Sequence, residues 1–269
     1  MPMSRILSAI KRRPVVVRTA WWAGKVVNHR VPRLLSRALS GAEPARTEVR
    51  PPVRDNGTVT DGGRRELPEP TAYTGTGANP VLVAEDVTDF GAVDFVADPF
   101  LYIEDRKLHL FFEVFSPHRD PTAAIGHAVS NDKGESWTYT GLALSTDRHL
   151  SFPYVFREGE ETYMIPDIAN SSDYSAPARL YRATDFPLEW EPVANIITGS
   201  DNYQDTIIFR WNSRWWAITG TGSNDELSVY YSETLTESDW TPHPKNPVVM
   251  DRPSAGRPAG RPLVRGDSI

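Results

Sequence analysis

The sequence predicts an all-β protein: an incomplete β-propeller of about three blades and one further strand, preceded by a basic, partly helical N-terminal arm. Three observations lead there. Short β-rich runs recur at spacings of 53 and 54 residues, each repeat closes on a tryptophan, and one repeat carries a turn motif of Asp-box form. Charge divides the chain before any of this begins. Residues 1–54 hold 12 Lys and Arg against two acids, whereas residues 55–269 hold 17 basic and 33 acidic groups, within a total of −6. A step of that size marks a boundary between segments of different character.

The arm spans residues 1–41. Its apolar clusters (Ile6-Leu7, Val15 to Val17, Trp21-Trp22, Val26-Val27, Leu34-Leu35) are broken by Arg18, Lys25, Arg30 and Arg33, and Pro14 and Pro32 limit any helix. Three readings compete for it: a poorly ordered extension, an interfacial helix on an anionic membrane surface, and an export signal built on Arg12-Arg13. Nucleic acid is not an expected partner, because the body of the chain is acidic. Residues 42–78, rich in Pro and Gly and poor in large apolar side chains, read as a disordered linker. The chain contains no cysteine, which excludes disulfides, thiolate nucleophiles and Cys-based metal sites. No run of apolar residues is long enough for an ordinary spanning helix. The expected location is cytoplasmic, with a peripheral membrane contact through residues 1–40.

The propeller segment covers residues 79–269, with blades at about 94–150, 151–203 and 204–256 and the start of a fourth at Arg257. Asp98-Pro99-Phe100-Leu101-Tyr102 opens the first unit, Phe152-Pro153-Tyr154-Val155-Phe156 the second, and Asp205-Thr206-Ile207-Ile208-Phe209 the third. Each is followed by a polar turn and a second run: Leu108 to Phe115, Thr162 to Pro166, and Arg214 to Gly220. A third run follows (Ala124 to Ser130, Arg179 to Thr184, Leu227 to Ser232), and then a strand led by Trp137, Trp190 or Trp240. Four short antiparallel strands per unit cannot bury both faces alone; radial stacking buries them. In Ser130-Asn131-Asp132-Lys133-Gly134-Glu135-Ser136-Trp137, Asp132 is expected to bond turn N–H groups and Gly134 to take a positive φ.

Phe95-Val96-Ala97-Asp98-Pro99-Phe100, Phe111-Phe112-Glu113-Val114-Phe115, His149 to Phe156, Tyr163-Met164-Ile165-Pro166, Leu180 to Pro187 and Arg257-Pro258-Ala259-Gly260-Arg261 together resemble the N-terminal propeller domain of glucosamine inositolphosphorylceramide transferase and its stand-alone prokaryotic relatives. That domain is similar to the five-bladed propellers of glycoside hydrolase family 43. The resemblance implies a five-bladed, carbohydrate-associated ring of which this chain holds a part. It also implies that glycosyl-transfer chemistry sits in a separate domain.

First strands line the channel of a propeller, so residues at their starts converge. Asp98 and Asp205 share a register, with Phe152 between them in the second blade; Glu113 and Asp167 share another, with Gly220 near that place in the third. These four carboxylates are the candidate catalytic residues, because glycoside hydrolysis needs one carboxylate as base or nucleophile and one protonated carboxyl as acid. By similarity to family 43, Asp98 would be the general base. Asp167 stands where relatives carry Glu after Met-Ile-Pro, which leaves Glu113 as the remaining candidate acid. His149, Arg257 and Arg261 are candidate substrate-binding residues for sugar hydroxyls or an anionic group. Trp211, Trp215 and Trp216 are either sugar platforms or inter-blade packing. No cofactor and no metal site is expected: the six histidines show no ligand spacing, and dinucleotide, P-loop and zinc-protease motifs are missing. The function that follows is binding or processing of a glycan or glycolipid. The alternatives are a non-catalytic interaction module and a truncated, inactive piece of a longer propeller protein.

Overall fold

The computed structural model describes residues 80–169, 176–199, 201–221, 223–237 and 240–263. The expected helical arm and linker lie outside the described residues. Twelve strands form three separate four-stranded antiparallel sheets, each a simple meander. The first holds β1 (Phe95–Glu104), β2 (Lys107–Phe115), β3 (Ala123–Ser130) and β4 (Thr138–Leu144). The second holds β5 (His149–Glu158), β6 (Glu161–Ala169), β7 (Ala178–Asp185) and β8 (Glu189–Ile197). The third holds β9 (Gln204–Trp211), β10 (Arg214–Thr221), β11 (Glu226–Ser232) and the short β12 (Thr241–Pro242). These are the three expected blades, and Trp137, Trp190 and Trp240 do stand at the heads of the fourth strands.

Each blade folds from its own local chemistry. Two-residue turns join first and second strands, because Glu104 pairs with Lys107, Glu158 with Glu161 and Trp211 with Arg214. Asp105-Arg106 and Asn212-Ser213 both adopt left-handed φ, and Gly159 does so in the middle blade. That geometry matches the right-handed twist of the flanking strands. At the β3–β4 turn, Ser136 N–H donates to Asp132 Oδ1 at 2.9 Å and Gly134 N–H to Ser130 Oγ at 2.8 Å. Hydrogen bonds donated to its oxygens by the Ser136 hydroxyl, the Ser136 N–H and the Ser130 hydroxyl hold the Asp132 carboxyl well below the usual carboxylate range. Asp132 is therefore a turn former, as its motif predicts.

Alternation along the strands sends successive side chains to opposite faces, and both faces of the middle blade are covered. Leu150, Val155 and Met164 pack toward the first blade with Phe111 and Ile125. Tyr154, Phe156 and Ile165 pack toward the third with Ile208, Trp215 and Ala217. The outer face of the first blade, carrying Leu110, Phe112 and Val114, is closed by Leu82, Val87 and Phe90. Trp215 and Trp216 are buried in this packing, so they are structural rather than sugar platforms. Polar ties repeat from blade to blade. Arg157 pairs with Glu104 at 3.3 Å, and Arg210 pairs with Glu158 at 2.9 Å. Tyr154 donates to the Ile208 carbonyl at 2.8 Å. The stack is thus radial, with first strands side by side. Residues 257–263 run without strand pairing. The strand expected from Arg257 belongs to no sheet among the described residues, since a strand needs a hydrogen-bonded neighbour and none of the three sheets offers it one.

Candidate functional site

The site is built on a bulge that recurs in all three first strands. Asp98, Phe152 and Asp205 take φ of 47°, 46° and 53°. Pairing with the second strand slips between Ala97 and Phe100, between Ser151 and Tyr154, and opposite Gln204 to Ile207. Such a bulge bends the strand and re-aims the side chain it carries. Asp tolerates the left-handed region through its short polar side chain. Phe152, a bulky residue in the same conformation, is held by an edge contact with Phe100 at 4.7 Å between ring centroids. One signal in the sequence points to the bulge: Pro99 and Pro153 cannot donate to a ladder, so a proline inside a strand-like run marks an interruption.

The bulges connect successive blades. Phe152 N–H donates to Asp98 Oδ2 at 3.3 Å, and the Asp205 backbone lies beside the Asp167 carboxylate. On the second strands Glu113 pairs in register with Ala97 and Asp167 with Ser151, one residue before each bulge. The four candidate carboxylates are therefore brought together from three blades, across more than a hundred residues of chain. Glu113, Asp167 and Asp205 are buried, and Asp98 is half-buried.

Burial governs their protonation. Desolvation, with the charges of Glu113 and Asp205 added, pushes Asp98 up to about 6. Desolvation and the nearby Asp205 push Asp167 up to about 7, against the opposing pull of Arg257 and His149. Asp205 is also raised by burial, although Arg257 restrains it. Arg257 Nε and Nη2 donate to the two Asp205 oxygens at 2.7 Å each, a bidentate fork, and Nη2 stands 3.8 Å from Asp167 Oδ2. His149 opens β5 between two partners: its Nε2 is 3.4 Å from Glu113 Oε1 and its Nδ1 is 2.9 Å from Thr122 Oγ1.

Two of the three candidate binding residues, His149 and Arg257, therefore touch the carboxylates. Arg261 does not join them: its guanidinium donates to the Val155 carbonyl and lies over the Tyr154 ring, which anchors the last described residues to β5. Sequence reasoning missed Thr122, because nothing in its surroundings distinguishes it from any loop threonine. It also missed a buried chain in which His109 Nδ1 and His127 Nε2 lie 3.0 Å apart and His127 Nδ1 meets Thr140. Burial holds His127 down at about 3 and lowers His109 too, so both are neutral packing groups. Gln204, in register with Gly220, keeps a buried amide oxygen with no hydrogen-bond partner among the described residues. No group of three or more His, Asp or Glu side chains among the described residues is arranged to hold a metal ion.

Fold and site together define an incomplete β-propeller with an acidic cluster where its first strands meet. The chain belongs to the family described as the N-terminal region of glucosamine inositolphosphorylceramide transferase 1, whose family model matches residues 69–269. A glucosamine inositolphosphorylceramide transferase 1 from Arabidopsis thaliana is 37% identical over 199 residues, covering 71% of this chain and 25% of the relative. One from Oryza sativa subsp. japonica is 36% identical over 200 residues, covering 71% and 26%. The chain thus spans about a quarter of the length of these relatives. Solved structures it is similar to include 1,3Gal43A, an exo-β-1,3-galactanase from Clostridium thermocellum (TM-score 0.49, 15% identity, 60% of this chain and 38% of that one). Zg3597, a family 117 glycoside hydrolase from Zobellia galactanivorans, is another (TM-score 0.48, 14% identity, 58% and 57%).

Proposed function

We propose that this protein binds a glycan or glycolipid headgroup at the carboxylate cluster, with an acid–base pair suited to glycosidic chemistry. One observation carries the reading: four carboxylates from three blades meet, with Asp98 pushed to about 6 and Asp167 to about 7. Near neutral pH such a pair supplies an ionised acceptor and a protonated donor at once. A sugar hydroxyl, which both gives and takes hydrogen bonds, matches that set. In this reading Asp98 is the base, and Asp167 takes the acid role that the sequence left to Glu113. A carboxyl that keeps its proton near neutrality is the better donor. His149 lies against Glu113, and Arg257 clamps Asp205, beside the pair. The names of the relatives support a glycolipid partner. A membrane contact through residues 1–40 belongs to the same proposal, as does completion of a five-bladed ring by further blades.

The test uses the full chain with two probes, soluble glucosamine and vesicles containing inositolphosphorylceramide. Asp98→Asn is expected to weaken binding of at least one probe about tenfold or more, as loss of a charged hydrogen-bond partner does. Binding unchanged in Asp98→Asn but lost on deleting residues 1–40 would replace this reading with that of a membrane-docking module.

A further inference from the structure

The third blade lacks the carboxylate that the first two carry at the end of their second strands. Ala97 faces Glu113 and Ser151 faces Asp167, but Gln204 faces Gly220. The space a side chain would fill there is occupied. A Cβ built on Gly220 would lie 2.9 Å from the Gly256 carbonyl oxygen and 3.1 Å from Arg257 Cγ. The first distance is one that real Cβ atoms essentially never show, and its partner is backbone. That backbone is itself closely packed. A Cβ on Gly256 would meet the Asn224 oxygen at 2.6 Å and Asp225 at 2.7 Å. The same returning segment is pinned by Arg252 N–H on the Asp225 carbonyl at 3.0 Å and by Ala255 N–H on the Arg252 carbonyl at 2.8 Å.

From these distances we infer that Gly220 is a positioning residue of the site: its missing side chain is the opening through which Arg257 reaches Asp205 and Asp167. The third blade gives up a carboxylate and admits a guanidinium in its place. Two consequences follow for the cluster. Among the described residues, Arg257 supplies the one arginine charge in contact with these carboxylates, clamped by two bonds of 2.7 Å to Asp205. Asp98, with a backbone N–H as its hydrogen-bond donor, is left outside that clamp. Division of labour in the cluster therefore follows from a glycine on β10. The groups that face Asp205 are Arg257, Asp167, Asp98 and Glu113, with His149 bearing on Asp167. The inference concerns charge placement in the unliganded protein and stands whether or not a glycan is the ligand.

The experiment follows the side-chain carboxyl carbons of Asp98, Asp167 and Asp205 by NMR through a pH titration of the full chain. Gly220→Ala, Arg257→Met and the double variant are compared with the parent. Gly220→Ala is expected to raise the Asp205 midpoint by about one pH unit or more, as loss of an adjacent opposite charge does. The double variant is expected to match Arg257→Met, because both changes remove the same guanidinium. A Gly220→Ala midpoint equal to the parent's, or shifts that add in the double variant, would overturn the inference. Should Gly220→Ala fail to fold, Arg257→Met alone decides it. That change removes the guanidinium and its charge, and an Asp205 midpoint that does not rise would show that the clamp has no effect to position.

Discussion

Replacing Asp167 by Asn should make the protein more stable at alkaline pH and leave it nearly unchanged in acid. The unfolded chain releases this proton near the ordinary carboxylate value, whereas the folded chain holds it until about 7. Between about pH 4 and about 7 the folded state binds more protons, so stability from this group falls as pH rises and is fully lost above that window. A midpoint raised by about three pH units, at roughly 1.36 kcal/mol each, corresponds to about 4 kcal/mol. Asn mimics the protonated carboxyl and does not ionise. It leaves Arg257 in place, because the two bonds to Asp205 remain. Guanidinium unfolding at pH 4.5 and pH 8 measures the difference. The variant is expected to gain roughly 2–4 kcal/mol over the parent at pH 8 and under about 1 kcal/mol at pH 4.5. Parent and variant curves that fall in parallel across this range would refute the reasoning, because Asp167 would then titrate alike in both states.

Two further outcomes test the inter-blade packing. Tyr154→Phe removes the hydroxyl bonded to the Ile208 carbonyl across the second and third blades, and should cost about 1 kcal/mol in chemical denaturation. Met164→Ala empties a fully buried position facing the first blade and should cost roughly 2–5 kcal/mol, well beyond the tyrosine change.

Much of the architecture was legible because propeller blades repeat in sequence as they repeat in space. The tryptophans at 137, 190 and 240 and the matching starts at Asp98, Phe152 and Asp205 mark the three strand groups of the described residues. Strand registers then placed Glu113, Asp167 and Gly220 as expected. The chemistry of the site was less accessible. Arg257 falls where the sequence places the start of a fourth blade, and an arginine after a proline-rich stretch gives no hint that it reaches Asp205 and Asp167. Arg261, a candidate binding residue, donates to the Val155 carbonyl, a contact that only tertiary structure reports. The choice between Glu113 and Asp167 as acid turns on burial and neighbouring charge, neither of which spacing along a chain reports. His109 and His127 lie 18 residues apart, and only the pairing of β2 with β3 brings them to 3.0 Å.

The convergence of these carboxylates is tested most directly by titrating Asp98 in a Glu113→Gln variant. Glu113 lies on the neighbouring strand and its charge helps raise Asp98. Removing that charge should move the Asp98 midpoint down from about 6 toward the ordinary carboxylate range, as read from its side-chain carboxyl carbon. An Asp98 midpoint that already lies near 4 in the parent, or that ignores the loss of Glu113, would mean that the two acids do not share a site.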